Sequence, residues 1–323
     1  MRATITILLC SAVLTLGLAS CAPGVKDKPR IGAVLRSFDE ERSSSLRKAL
    51  ETAALDKADL SLLDGQGQSA AQGLQVKTLF SDKKLASLAL EPVDSGTIGD
   101  TITQAKELGI PLVLFGVLPS EDLMRSWDKV FFVGTRDQDS GQAQGELIAA
   151  SWKANPLLDR NKDKVLQYAI VGVEDEKGPR AEGFVKALAA AGIKAESVGA
   201  VVDASTLTKL GAKVEVAICV DLASTLGTID YYSAAVKAKR APLIAGASAQ
   251  GLPDSVKAAI GSGLLVGMAT TDDSRIGAAV FGLAYALGRK VNPAKSGIVV
   301  SDAKYVWIPC KKITKGGQAS TGK

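Results

Sequence analysis

Two rounds of alternation between short apolar runs and amphipathic stretches constrain this chain more than any other feature of its sequence. Arg30-Ile31-Gly32-Ala33-Val34-Leu35 reads as a strand, and Leu46, Ala49, Leu50, Ala53 and Ala54 then fall on one helical stripe. Residues 60–63 form the next strand, closed by Asp64-Gly65, and apolar runs at 85–90 and 111–115 flank a helix over 97–108. The pattern restarts at Lys129. Strands are predicted at 130–133, 165–171, 196–202, 216–220, 242–246 and 264–268, with helices over 142–152 and 181–191. A long apolar helix over 275–287 and two strands near 297–300 and 305–308 follow. Strands separated by helices give parallel sheets covered on both faces. The expected fold class is α/β, with two Rossmann-like lobes built on parallel sheets and joined by crossovers. In open sheets of this kind ligands bind outside the carboxyl ends of the strands, so two facing sheets make a cleft able to close on a small molecule.

The chemistry available to such a cleft is limited by composition. A chain of 323 residues is comfortable for two domains of ordinary size. It contains no histidine, which removes Ser-His-Asp and Cys-His nucleophilic arrangements and every histidine-based zinc site. No nucleophile–base pair or cofactor motif takes their place, so no enzyme activity is expected. The net charge of +5 is spread along the chain, and its densest basic run, Lys311-Lys312 with Lys315, lies in what reads as a loose tail. Nucleic-acid binding calls for a concentrated basic face, and none is expected here.

Residues 1–20 read as an export signal: Arg2 precedes a short apolar run from Ile5 to Leu18, closed by Leu18-Ala19-Ser20-Cys21. A regulator of transcription on this core would need a DNA-binding segment where this signal stands. The Leu-Ala-Ser-Cys sequence resembles the bacterial lipobox, which implies that Cys21 is lipidated and that the protein is exported and anchored to a bacterial membrane. Residues 21–29 read as a tether. Cys219 and Cys310 would then remain, and two free thiols are expected rather than a disulfide.

From Arg30 to Pro309 the chain resembles the periplasmic sugar-binding family, in particular its galactose/glucose branch. The stretches that carry the likeness are Glu91-Pro92-Val93-Asp94 with Ile98 to Phe115, and Ser262-Gly263-Leu264-Leu265 through Asp272-Asp273 to Gly288-Arg289-Lys290. Val133-Gly134-Thr135 with Ser140-Gly141 and Gln144 to Ala149 points to the galactose/glucose branch. The resemblance implies a periplasmic binding protein fold of type I, with three connections near Val133, Thr271 and Val306. One lobe would comprise residues 30–132 and 272–305, the other 133–271 and 306–323. It implies a monomeric receptor that holds a sugar or sugar-like solute and serves an ABC transporter permease.

Asp159-Arg160-Asn161-Lys162-Asp163-Lys164-Val165-Leu166-Gln167 sets oxygen side chains at alternate positions of one loop, where they can converge on a hard cation such as calcium. The galactose/glucose branch has a calcium loop of this kind. Asp159, Asn161, Asp163, the Val165 carbonyl and Gln167 match its positions, and Glu196 is matched to its remote glutamate. Lys164 stands where the related EF-hand loop has glycine.

The pocket departs further from the family. Arg180 matches its sugar-binding arginine, Arg36, Asp39 and Glu40 occupy the first strand-to-helix loop where it keeps an acidic ligand, and Asp221 replaces an asparagine. The two stacking rings read Arg42 and Val202, the histidine reads Glu174, and two further asparagines read Gly116 and Thr271. Either the alignment shifts locally, or the cleft serves something other than a plain hexose, a polar or anionic relative included. A lipoprotein that kept the fold and lost hexose affinity, acting as a sensor or surface interaction protein, is the alternative.

Overall fold

The computed structural model describes residues 28–173, 176–210, 213–234, 241–249 and 251–319. The first apolar runs become β1 (Arg30–Leu35), β2 (Asp59–Asp64), β3 (Leu85–Leu90), β4 (Leu112–Phe115) and β5 (Val130–Gly134). Between them lie α1 (Glu41–Ala54), α2 (Ser69–Phe80), α3 (Ile98–Leu108) and the short α4 (Glu121–Arg125). The second round gives α5 (Asp137–Ala154), β6 (Val165–Val171), α6 (Pro179–Ala190), β7 (Lys194–Val201) and β8 (Val216–Cys219). It continues with α7 (Leu222–Ser233), β9 (Leu243–Ser248), α8 (Asp254–Ser262) and β10 (Leu265–Thr270). After α9 (Asp273–Gly288) come β11 (Tyr305–Trp307), β12 (Lys311–Thr314) and β13 (Gly317–Ala319).

Two sheets result, ordered β11-β5-β4-β3-β1-β2 and β13-β12-β10-β9-β8-β6-β7. The first is parallel throughout, and the second is parallel up to β12 and β13. The chain passes between them three times, after β5, after β10 and after β11. Each sheet buries both faces, as parallel sheets must. Leu46 and Leu50 of α1 and Val280 and Phe281 of α9 cover one face of the first sheet. Val76 and Leu79 of α2 with Ile98 and Ile102 of α3 cover the other. In the second sheet Ile229, Val256 and Ile260 fill one side and Ile148, Phe184 and Leu188 the other.

Two expectations at the end of the chain are corrected. Residues 297–300 are not a strand: a 3-10 turn at Pro293–Ser296 is followed by Gly297 in the left-handed region, φ 77°, which stops extension. The basic stretch Lys311-Lys312 is not a loose tail. It is β12, antiparallel to β10 with Met268 opposite Ile313, and β13 folds back beside it. Its sequence offers one apolar side chain, Ile313, so the ladder to an existing strand, rather than its own hydrophobic pattern, orders it. Cys219 and Cys310 are free and buried. Burial pushes each thiol up to about 11. Among the described residues no helix is long and apolar enough to cross a membrane.

Candidate functional site

The carboxyl ends of the strands hold the predicted pocket residues in two groups. At the end of β3 and the start of α1 and α9, Arg42 lies between two carboxylates. It is 3.2 Å from Glu91 Oε1, and its Nη2 donates to Asp273 Oδ1 at 2.9 Å. Arg42 Nε and Thr271 Oγ1 also donate to Asp273 Oδ1, each at 3.2 Å. The Arg36 amide donates to Glu91 Oε2 at 3.3 Å, and its guanidinium pairs with Glu40 at 3.3 Å. Asp39 is exposed, with its amide on Ser37 Oγ. Burial pushes the Glu91 and Asp273 carboxyls above the usual range, and Arg42 pulls both back down. Gly116, at φ +80°, makes room for this network: a Cβ there would stand 2.8 Å from Glu91 Cγ.

The second group stands on α5, α6 and α7. Helices α5 and α6 meet backbone to backbone, since a Cβ on Gly141 would lie 1.9 Å from the Arg180 carbonyl oxygen. That approach sets the Arg180 guanidinium against α5. Its Nη2 donates to Asp137 Oδ1 at 2.7 Å and its Nη1 to Gln144 Oε1 at 3.2 Å. Gln144 is fully buried and donates to the carbonyls of Cys219 at 2.8 Å and Ala245 at 3.0 Å. Arg180 is thus indexed to the end of β8 and the middle of β9. Asp221 caps α7, accepting from the Ser224 amide at 2.8 Å. It also lines a cavity of about 430 Å³ with Gly172, Val202, Asp203 and Tyr231. Val202, expected from the resemblance to stand where the family keeps a stacking ring, is 54% exposed and lines this cavity. Glu174 and Cys21 lie outside the described residues.

The Asp159–Gln167 loop precedes and opens β6. Its φ is positive at Lys162 (62°) and Lys164 (63°), so Lys164 adopts the conformation that glycine would take without strain. The Lys164 amide donates to Asp159 Oδ2 at 3.0 Å and the Val165 amide to Asp163 Oδ1 at 2.8 Å. Asn161 and Gln167 side chains both donate to Asp163 Oδ2 at 2.8 Å. The carboxylate brought to this loop is Glu215, not Glu196. Glu215 takes the amides of Arg160 (2.7 Å) and Gln167 (3.1 Å), whereas Glu196 is exposed on the edge strand β7. Both strands flank β6, and Glu196 stands opposite Gln167. But β7 is the sheet edge and its Glu196 is exposed, whereas Glu215, just before the inner strand β8, is buried against the loop amides. Burial pushes the Glu215 carboxyl up, and the charges of Asp159 and Asp163 add to the shift.

The donors fit a hard cation. Asp159 Oδ1 is buried with no hydrogen-bond partner, an arrangement that is costly unless another group accepts its lone pairs. Among the described residues no set of three or more His, Cys, Asp or Glu forms a ready metal cage, so coordination would also draw on Asn161, Gln167 and the Val165 carbonyl. Four residues central to these sites were not assigned to a site from sequence, although three of them, Glu91, Gln144 and Asp273, lie in the stretches that carry the resemblance; the fourth is Glu215. Two carried a signal. Glu215 interrupts the apolar run Val214 to Cys219, and Glu91 ends the buried run 85–90 just before Pro92. A carboxylate in such a place needs a partner.

Two α/β lobes with polar groups gathered at the carboxyl ends of both sheets define a solute-binding protein. Residues 31–290 match the model of the family described as periplasmic binding protein domain, and the chain belongs to that family. It is a binding protein rather than an enzyme. It is 32% identical over 198 residues to the D-galactose/methyl-galactoside binding periplasmic protein MglB of Haemophilus influenzae, a match spanning 60% of this chain and 60% of that protein. Its fold is similar to that of AraP, an arabinose binding protein from Geobacillus stearothermophilus. There the TM-score is 0.66 at 17% identity, over 90% of this chain and 97% of that one. A solute binding protein from Bacillus halodurans with bound myo-inositol gives a TM-score of 0.57 at 19% identity, over 91% and 96% of the two chains.

Proposed function

We propose that this chain is the solute-binding receptor of an ABC transporter, taking a sugar or sugar-like solute at the carboxyl ends of its two sheets and presenting it to a permease. The observation that carries this reading is Arg180, whose guanidinium is held by Asp137 and Gln144 and tied through Gln144 to the end of β8 and the middle of β9. A prepositioned fork of this kind donates paired hydrogen bonds to hydroxyls at little entropic cost. The reading also draws on the galactose-binding relative, whose ligand class is the natural starting point. Ordinary hexoses bind weakly, because neither Arg42 nor Val202 offers a ring to stack on. An aromatic partner is worth about 0.5–1.5 kcal/mol beyond its area, so losing two costs tenfold or more in affinity. An anionic solute finds no support in the geometry, since Arg42 and Arg180 both already carry carboxylate partners.

Two accessory features belong to the same proposal. The protein is exported and held at the membrane through lipid on Cys21, where several acyl chains on one residue give firm anchoring. A calcium ion sits in the Asp159–Gln167 loop, with Asp159, Asn161, Asp163, Gln167, the Val165 carbonyl and Glu215 as donors, and serves stability rather than chemistry. The deciding experiment for the receptor is calorimetry with a panel of monosaccharides, alongside native mass spectrometry for a co-purified solute. Binding that weakens at least tenfold in Arg180→Lys supports it; a protein that takes no small solute in either measurement removes it in favour of a sensor or surface interaction role.

A further inference from the structure

A second cavity, of about 1020 Å³, opens at the amino ends of the first sheet's strands, the end away from the pocket residues. Leu85 of β3, Pro111 before β4, Phe131 of β5, and Leu287 and Val291 around the end of α9 form its walls. Three large aliphatic side chains are exposed at it: Leu108 and Val291 line it, and Val299 adjoins Val300 in its wall. Apolar surface gathered in one place and left in water marks a site where something docks. The charged residues of the lining are Lys129 and Lys290, and neither is in an ion pair among the described residues. Glu107, Asp128 and Asp302 stand in the segments that build the cavity, but Arg289, Lys295 and Lys304 stand there too and match them in number. The two lining lysines are left in surplus.

The described chain begins at this same end. Lys28 is exposed just ahead of β1, and Arg30 stands opposite Leu85, a wall residue, in the ladder between β1 and β3. Cys21 lies seven positions before Lys28. A lipid on Cys21 is therefore held within about 25 Å of Lys28 even when the connecting segment is fully extended. Such a tether turns contact with the bilayer into an intramolecular event, so a surface too weak to bind membrane by itself still docks. A bilayer containing anionic lipids suits both parts of the surface. Headgroup charge attracts the lysines, and the exposed aliphatic side chains enter the interfacial layer. The carboxyl ends of the strands point the other way and stay in solvent, open to a solute.

We propose that this amino-end face docks on the anionic bilayer surface to which Cys21 holds the protein, with Lys129 and Lys290 against headgroups and Leu108, Val291 and Val299 in the interfacial layer. This rests on the lipid anchor proposed above and assigns the face that the anchor presents to the membrane. The test uses the lipidated protein as isolated from membranes, reconstituted in vesicles, with an environment-sensitive dye on Val291→Cys. Cys219 and Cys310 are buried and do not compete for the dye. The dye emission is expected to shift to the blue on phosphatidylglycerol vesicles and much less on phosphatidylcholine, and high salt is expected to reverse the shift. The same dye on Val202→Cys, exposed beside the cavity that Asp221 lines, should not respond. Lys129→Glu together with Lys290→Glu in the Val291→Cys chain should cut the shift at least in half, with the melting temperature unchanged. An equal response at positions 291 and 202, an equal shift on both lipids, or a shift that survives both charge reversals overturns the docking face. Acyl mass on Cys21 is measured in the same samples. With that mass present and no shift, the docking face falls alone; without it, anchor and docking fall together.

Discussion

Arg42 stands 3.2 Å from Glu91, with 10% of the arginine side chain and 2% of the glutamate side chain exposed. A pair so deeply buried is costly to break, because removing one partner strands the other charge away from water. Arg42→Met is expected to destabilise the protein by about 3 to 5 kcal/mol at neutral pH, read by chemical denaturation. The deficit depends on pH in a defined direction. A carboxyl raised in the folded state binds its proton more tightly there than in the unfolded chain, so its contribution to stability is present at low pH and lost as pH rises through the folded pKa. Burial already raises Glu91 and Asp273, and loss of Arg42 removes the influence that lowers them. The deficit should therefore shrink as the solution is acidified through the raised pKa values; a deficit equal at acid and neutral pH contradicts the assignment.

Gly116 tests the same network from the backbone. An alanine there meets two penalties, a left-handed φ of +80° and a Cβ 2.8 Å from Glu91 Cγ, whereas Gly109 at φ +69° has open space around it. Strain in the left-handed region costs about 1–3 kcal/mol and is common to both positions. Gly116→Ala is expected to lose more stability than Gly109→Ala in thermal melts. The excess should vanish in a Glu91→Ala background, where the obstructing side chain is gone.

The metal loop makes a prediction that separates two glutamates. A ligand bound only by the folded state stabilises it by about 2.7 kcal/mol at a hundred times its Kd. Chelation should lower the melting temperature of the wild type and of Glu196→Ala alike. Glu215→Gln keeps an acceptor for one of the two amides, Arg160 or Gln167, and loses the charge, and its melt should no longer respond to chelator. A wild-type melt indifferent to chelator and to added calcium removes the ion.

Lipidation is tested by fractionation. Cys21→Ala is expected to move the protein from the membrane to the soluble fraction with an unchanged melting temperature, and mass spectrometry should show the acyl mass missing. Persistence of the variant in the membrane fraction counts against the anchor.

Sequence by itself determined the α/β class, strands β1 to β11 and helices α1, α3, α5, α6 and α9, while α2, α4, α7 and α8 were not read from it. Strands such as β1 and β8 are continuous apolar runs, and helices such as α1 show a single apolar stripe, so local pattern and long-range burial agree. The loop oxygens at 159–167 and the candidate arginine Arg180 were legible for a similar reason, since each belongs to a short local pattern. Only the tertiary structure decided which partners these residues meet. Arg42 and Asp273 are 231 positions apart, and no period in the sequence links them. The choice between Glu196 and Glu215 depended on whether β7 or β8 lies on the inner side of β6, a matter of strand order. β12 escaped notice because its order comes from a backbone ladder to β10, and backbone hydrogen bonding leaves little trace in side-chain identity. Local periodicity encodes which face of an element is buried; which charged groups become neighbours is settled when the sheets assemble, where desolvation makes each buried carboxylate require a partner.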